Sequence, residues 1–426
     1  MIGPFLLAAV ALFGCGGEPE PIAPPAPPPA PTAVAGPRVW TAADIRELVP
    51  VAPARNAAVA RAIPPNPAYD AALSTLGKVV ESHGADPDNP WAIAHGVLAR
   101  GTEFRLTDGR EAVPHVFATF AEPRTAGPFT GVGFPASRGA IRIEPHTDLI
   151  LKNLTEAGYS PDDTMSVSMS PGAAPTPIPL ADLYRWTVLK THLVPATNHA
   201  SFDGPNDLPW ALQALAAWAP PDLRWTAADG TEMALEDVAT FTVAVLQKES
   251  AFLTGHMTRK ERFERKGQAL FSYTCGGAHL LQGASYAVAR GYGGPRARAV
   301  IEEQVGLAMY RMPIELDIVD AAIQQHRQHR VRLLVQRMKV LGHWLETVSK
   351  LQAMGFFTPD EAQLHLIEGA AQNLVATVND LEKAKVFGEL GALRAKDEQL
   401  YLDVVGDAAH AVRGLELALG RGTIGY

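Results

Sequence analysis

Between Leu334 and Val348 the apolar residues Leu334, Met338, Leu341, Leu345 and Val348 recur at intervals of four and three. That spacing keeps them on one side of an α-helix and predicts a buried seam. Val238, Phe241, Val245 and Phe252 follow a similar rhythm and predict a helix over 235–252. Helices are also expected over 180–190, from the Tyr273–Gly283 stretch to Arg290, over 296–312, and from Pro313 to Met354. Thr358-Pro359-Asp360-Glu361 reads as a helix start with Thr as cap, and two further helices, 361–385 and 388–419, close the chain. The 164–177 stretch, rich in Ser, Pro, Gly and Met, reads as a surface loop. No block of alternating apolar and polar residues marks a sheet, so the fold class is all-α.

One grammar occurs twice. Asn89-Pro90-Trp91-Ala92 leads to Asp108-Gly109 and a second helix, and Asn206-Asp207-Leu208-Pro209-Trp210-Ala211 leads to Asp229-Gly230 and another. Proline fits the first helical turn, where its missing N–H costs nothing, and an asparagine ahead of it can cap the free amides. Asp-Gly supplies the positive φ of a tight turn. A weaker copy begins at Glu144-Pro145-His146. The starts at Pro90, Pro145, Pro209 and Cys275 are about 60 residues apart, the length of a helical hairpin with its loops. Trp186, Trp210, Trp218 and Trp225 are expected in the core.

Repeated hairpins of this length close into a ring or stack as a solenoid. The stretch Tyr273-Thr274-Cys275-Gly276-Gly277-Ala278-His279 resembles inner-helix segments of terpenoid-cyclase and prenyltransferase-like α/α toroids, where Cys-Gly-Gly-x-His strings occur. That resemblance implies an α/α toroid over 38–295, with the long helices of 296–426 packed on it. It does not bring the activities, because the Asp-rich cyclase motif, the prenyltransferase Asp-x-Cys and the lanthionine-cyclase Cys-His-Gly triplet are all missing.

The N-terminus sets the expected compartment. An apolar run from Phe5 to Phe13 ends in Leu12-Phe13-Gly14-Cys15, which resembles the lipobox of bacterial lipoproteins. The resemblance implies a signal peptide over 1–14, lipidation of Cys15, attachment to the membrane and, with Gly16 next, the outer membrane of the cell envelope. Nine prolines between Glu18 and Pro37 then predict an extended tether of roughly 60 Å at 3.1 Å per residue. With 45 acidic against 37 basic residues and no basic block, nucleic acid is not an expected partner.

Helices that all start at one rim would bring Trp91, His95, His146, Trp210, Tyr273, Cys275 and His279 around the mouth of a funnel. Cys275 and His279, four residues apart, would lie on one helix face within reach of a zinc ion, with His146 or His95 completing the set. A thiol at a helix start can also have a lowered pKa and act as a nucleophile. His146 with Glu144, Glu249, Tyr273 and His256 are the residues available for acid–base work. His326 and His329, beside Arg327 and Arg330, read as a solvated face. Three functions follow: a lipid-anchored protein whose funnel binds a small molecule or glycan, an enzyme (lyase, hydrolase or metal-dependent catalyst) using that funnel, or a helical scaffold for a partner protein.

Overall fold

Both Pro-Trp-Ala stretches start helices. Asn89 caps the first by accepting the amide of Ala92 at 3.1 Å. Asn206 does something else: its Oδ1 accepts the amide of Thr274 at 2.9 Å, so it fastens one helix start to the next. The Asp-Gly pairs turn the chain with φ of 84° at Gly109 and 87° at Gly230. The computed structural model describes residues 38–52, 56–170, 172–194, 199–200 and 206–426. The lipobox and the proline-rich tether lie outside the described residues.

The described chain is predominantly helical. Its α-helices are α1 (Pro67–Val79), α2 (Pro90–Arg100), α3 (Ala112–Phe120), α4 (Leu149–Ala157), α5 (Leu180–Lys190), α6 (Leu208–Trp218) and α7 (Leu235–Arg259). They continue as α8 (Ala278–Ala289), α9 (Ala297–Gln325), α10 (Arg330–Ala353), α11 (Glu361–Lys383), α12 (Leu390–Lys396) and α13 (Glu398–Ala418). Among the described residues no sheet exceeds three strands, and no helix is long and apolar enough to cross a membrane.

Six helices form a closed circuit of neighbours, α2, α4, α6, α8, α10, α13 and back to α2. Polar contacts mark three of the junctions: Asn153 donates to the carbonyl of Ala94 at 2.9 Å, Gln213 to Glu156 at 3.1 Å, and Gln282 to Thr347 at 2.8 Å. Glu346 holds His410 at 2.6 Å, and His410 lies 5.4 Å from His95, ring to ring. Where a pair makes two such contacts they keep one order, Lys152–Trp210 with Glu156–Gln213, His279–His343 with Gln282–Thr347, and Lys339–Asp403 with Glu346–His410, so these neighbours run the same way. Residues 37–426 make one compact unit, to which the C-terminal region contributes α10 and α13.

The helices α10 and α13 pack backbone against backbone. A Cβ on Gly342 would come 2.9 Å from the backbone of Ala411, and one on Gly414 would come 2.6 Å from the Gly342 carbonyl. Glycine is therefore required at both positions, and it lets polar side chains of the two helices meet at short range.

Several boundaries differ from the sequence expectation. The helix expected to end at Met312 runs through Pro313 to Gln325. Proline removes one amide donor there, while buried Met312, Ile314 and Leu316 keep the helix packed. The break comes instead at His326–His329, an exposed polar stretch with nothing apolar to bury. Asp360, not Thr358, caps α11, in a capping box with Gln363. The expected 388–419 helix is interrupted where Asp397 caps α13. The third start lies at Leu149 rather than Pro145. Thr164–Val167 and Thr176–Pro179 pair as an antiparallel hairpin, because Met165 and Val167 point into the core from an otherwise polar stretch. Trp210, Trp218 and Trp225 are buried, and Trp186 is half-buried.

Replacing Gly414 with alanine should force α10 and α13 apart and cost about 1–3 kcal/mol. Gly306→Ala, at a helical glycine with open space around it, should be neutral or stabilising by up to about 1 kcal/mol. Urea denaturation of both variants checks this; equal effects would show that the crossing does not depend on glycine.

Candidate functional site

The circuit helices α2, α6, α8 and α13, and the turn before α4, present their first turns to one cavity of about 350 Å³. Trp91, His95, His146, Trp210, Cys275 and His279 all line it. Tyr273 does not; it lines a neighbouring cleft of about 240 Å³. Glu249 and His256 line neither. Lys339 and His343 reach the cavity from the middle of α10, and Asp403, Asp407 and His410 from α13.

Cys275 is not on the helix that carries His279. Cys275, Gly276 and Gly277 take φ of 54°, 64° and 84°, and α8 begins only at Ala278. Three successive left-handed residues bend the chain sharply. Glycine adopts this freely, whereas Cys275 pays a strain of about 1–3 kcal/mol. Neighbours hold the bend: Asn206 accepts from the amide and hydroxyl of Thr274, and Arg311 donates to the Gly276 carbonyl at 3.0 Å. The result aims the half-buried thiol at the imidazoles behind it.

The donor atoms of Cys275, His279 and His343 all lie within 4.8 Å of one another. His343, rather than His146 or His95, completes the set. Its Nδ1–H donates to the carbonyl of Lys339 at 3.0 Å, which leaves the Nε2 lone pair free, and Nε2 is buried without a hydrogen-bond partner. His279 Nδ1 is likewise buried and unpartnered. Trp210 stacks on His279 with ring centroids 3.9 Å apart, and His410 packs on His343 at the same distance. Both rings are therefore held in place by packing.

Electrostatics keeps these groups uncharged. Burial, then the neighbouring His343 and His410, lowers the pKa of His279 well below its ordinary value. Burial, then His410, does the same to His343. Burial also takes His95 down to about 3. The Cys275 thiol is pushed up to about 12, by burial and then by Asp407, so the expected low-pKa nucleophile is not found. Neutral imidazoles bind metal without first losing a proton, and a metal would displace the thiol proton.

Beneath the histidines lies a buried ionic network. Glu346 accepts from His410 at 2.6 Å and from Lys350 at 2.5 Å; Lys350 also meets Glu156 at 2.5 Å, and Lys152 meets Glu156 at 3.2 Å. Burial alone would raise the pKa of Glu156, but Lys152 and Lys350 outweigh it and bring it to about 2.

His146 sits on the other side of Trp210, parallel to it at 5.1 Å, with Nδ1 3.5 Å from Oδ1 of the buried Asp207. Glu144 is not its partner: it accepts the amide of Ile150 at 2.9 Å, and burial raises its pKa to about 8.

The sequence reading did not pick out His343, His410, Lys339 or Glu346. The available signal was the polar series Lys339, His343, Glu346, Lys350, spaced four, three and four along a helix that also carries an apolar seam. Compared with protein-family models, curated proteins and solved structures, the chain matches none.

His95 gives a pH dependence with a definite sign. Its pKa is depressed in the fold relative to about 6.5 in the unfolded chain, so the unfolded chain binds more protons between those values and stability falls as pH drops through that window. From pH 6.5 to 5 the loss from His95 amounts to about 2 kcal/mol. Urea denaturation of the metal-free protein at both pH values should show a smaller loss in His95→Gln. An unchanged slope would mean that His95 is not the acid-labile group.

Proposed function

We propose that this chain is a metal-dependent enzyme of the bacterial cell envelope, held to the membrane through a lipidated Cys15, with a zinc ion on Cys275, His279 and His343. We further propose that the helical body is an α/α toroid with the reaction cavity at one mouth, a reading supported by the closed circuit of six neighbouring helices. The observation that carries the enzymatic reading is the three-donor set, with two buried, unpartnered imidazole nitrogens, facing a cavity. Structural zinc sites are closed by four protein ligands, whereas three ligands opening on a cavity leave a position for water or substrate. A zinc ion there would supply Lewis acidity and lower the pKa of a bound water.

The chain's own residues supply the rest. His146 lines the cavity with its Nδ1 3.5 Å from the Asp207 carboxylate, close enough for that charge to favour a proton on the ring and so suit it to proton transfer. Lys339, 3.4 Å from Asp403, places a positive charge beside the thiol. Hydrolysis or group transfer of a small substrate fits these parts. Sugar binding needs an open aromatic face, and here Trp210 is 2% exposed while Trp91 is covered by His95, with ring centroids 4.0 Å apart. The glycan reading is correspondingly less favoured.

Elemental analysis of protein purified without chelator or metal-affinity resin should find about one zinc per chain. Cys275→Ala, His279→Ala and His343→Ala should each lose it, while His146→Gln and Asp207→Asn should keep it. Cobalt substitution should add a thiolate-to-cobalt absorption band that disappears in Cys275→Ala. A parent protein that takes up neither ion sinks the proposal. For the anchor, Cys15→Ala should move the protein from the membrane to the soluble fraction; unchanged fractionation would remove Cys15 from the argument.

A further inference from the structure

The cavity and the neighbouring cleft share a wall made of Cys275, Lys339 and His343. A molecule in the cleft is therefore separated from the metal donors only by their own side chains. This second space has a different character from the histidine-lined one. Phe271, Leu281, Met312 and Trp344 give it an apolar lining, and Arg265 and Arg311 bring two guanidinium groups.

The two arginines are not equivalent. Arg311 is committed to the protein, with Nε donating to Glu315 at 2.7 Å and Nη2 to the Gly276 carbonyl at 3.0 Å. Glu315 is thereby neutralised. Arg265 is half-buried, with its guanidinium carbon 4.7 Å from the centre of the Phe271 ring. Among the described residues no carboxylate lies within 4.0 Å of it. Lys339, the remaining cation of the wall, is answered by Asp403 at 3.4 Å. The cleft thus keeps one uncompensated positive charge, pre-oriented on an aromatic ring beside an apolar pocket, in a chain whose net charge is -8.

We infer that this cleft binds the anionic end of the substrate, a carboxylate or phosphate on an apolar body, through Arg265. The inference rests on reading Cys275, His279 and His343 as the reacting centre, and it names the class of molecule that centre acts on. Arg311 is the positioning residue that ties the cleft to the Cys275 turn.

The test is isothermal titration of the full chain with phenyl phosphate, benzoate and neutral phenol, with zinc content measured on every sample. Phenyl phosphate or benzoate should bind at least tenfold more tightly than phenol, and the stronger of the two identifies the anion. Arg265→Gln should weaken anion binding at least tenfold and leave zinc content unchanged, and Arg265→Lys should restore part of it. Melting temperatures equal to that of the parent show that the variants are folded. Phenol binding as well as the anions, no binding by any probe, or Arg265→Gln binding like the parent overturns the inference. So does anion binding that vanishes on zinc removal and ignores Arg265, which would put the anion on the metal. Arg265-dependent binding to a parent without zinc would leave the cleft as an anion site while the metal-centre reading falls. Zinc without anion binding would leave that reading standing alone.

Discussion

The bridge from Glu156 through Lys350 to Glu346 and His410 is the interaction on which the rest depends. It joins α4, α10 and α13 in a region where all four side chains are almost wholly shut off from water. Taking each ion out of water costs several kcal/mol, which is offset only when every charge finds a partner at short range. The arrangement is therefore close to all-or-none. Removing one member would leave an unanswered charge inside the protein, a loss that usually exceeds any gain from a better-packed apolar replacement. With Lys152, Lys350 and Arg413 against Glu156 and Glu346, this part of the interior holds one more positive than negative charge. Lys152 adds to the burial that keeps His95 and His279 unprotonated. The network is thus structural and electrostatic at once: it fixes the ring of His410, which packs on His343, and it keeps imidazole nitrogens available.

Two backbone features convert that network into a site. The crossing at Gly342 and Gly414 brings α10 and α13 close enough for the His343 and His410 rings to pack together with centroids 3.9 Å apart. The left-handed turn at Cys275–Gly277 swings a thiol off the axis of α8 and towards the same point. Neither feature involves the donors alone. A β-carbon at Gly277 would come 2.6 Å from Leu270, so the turn is set by its packing as much as by the freedom of glycine.

Much of this was legible in the sequence. The repeated Pro-Trp-Ala starts mean that successive helices begin in one way, and if they begin at one end their first-turn side chains must meet there; Trp91, His95, His146, Trp210, Cys275 and His279 do line one cavity. The third donor was not legible. His343 belongs to a polar series with the same spacing as the apolar seam of its helix, and a polar series on a long helix ordinarily faces water. Only the burial of α10 by neighbours on several sides turns it inward, and that is a property of distant segments. The turn at Cys275 was hidden for a related reason, because a helical pattern read across Gly276-Gly277 carries no sign of where the helix begins. Pro313 misled in the opposite direction: local chemistry argued for a break, and burial of its neighbours overrode it.

Since neighbours such as α8, α10 and α13 run the same way, the chain doubles back through other helices, α9 and then α11 and α12, before each new one begins. Residues far apart in sequence, such as Trp91, His146, Trp210, Cys275 and Asp403, are neighbours only at that one end. Each is contributed by a different segment and sits at or near the start of its helix, where a side chain can change with little disturbance to the turns below. Such an architecture lets the rim vary over a fixed floor. A lineage carrying it can exchange one rim residue at a time, trying new reactivities on an inherited frame, while the buried bridge of Lys350 holds both the helices and the setting of the imidazoles constant.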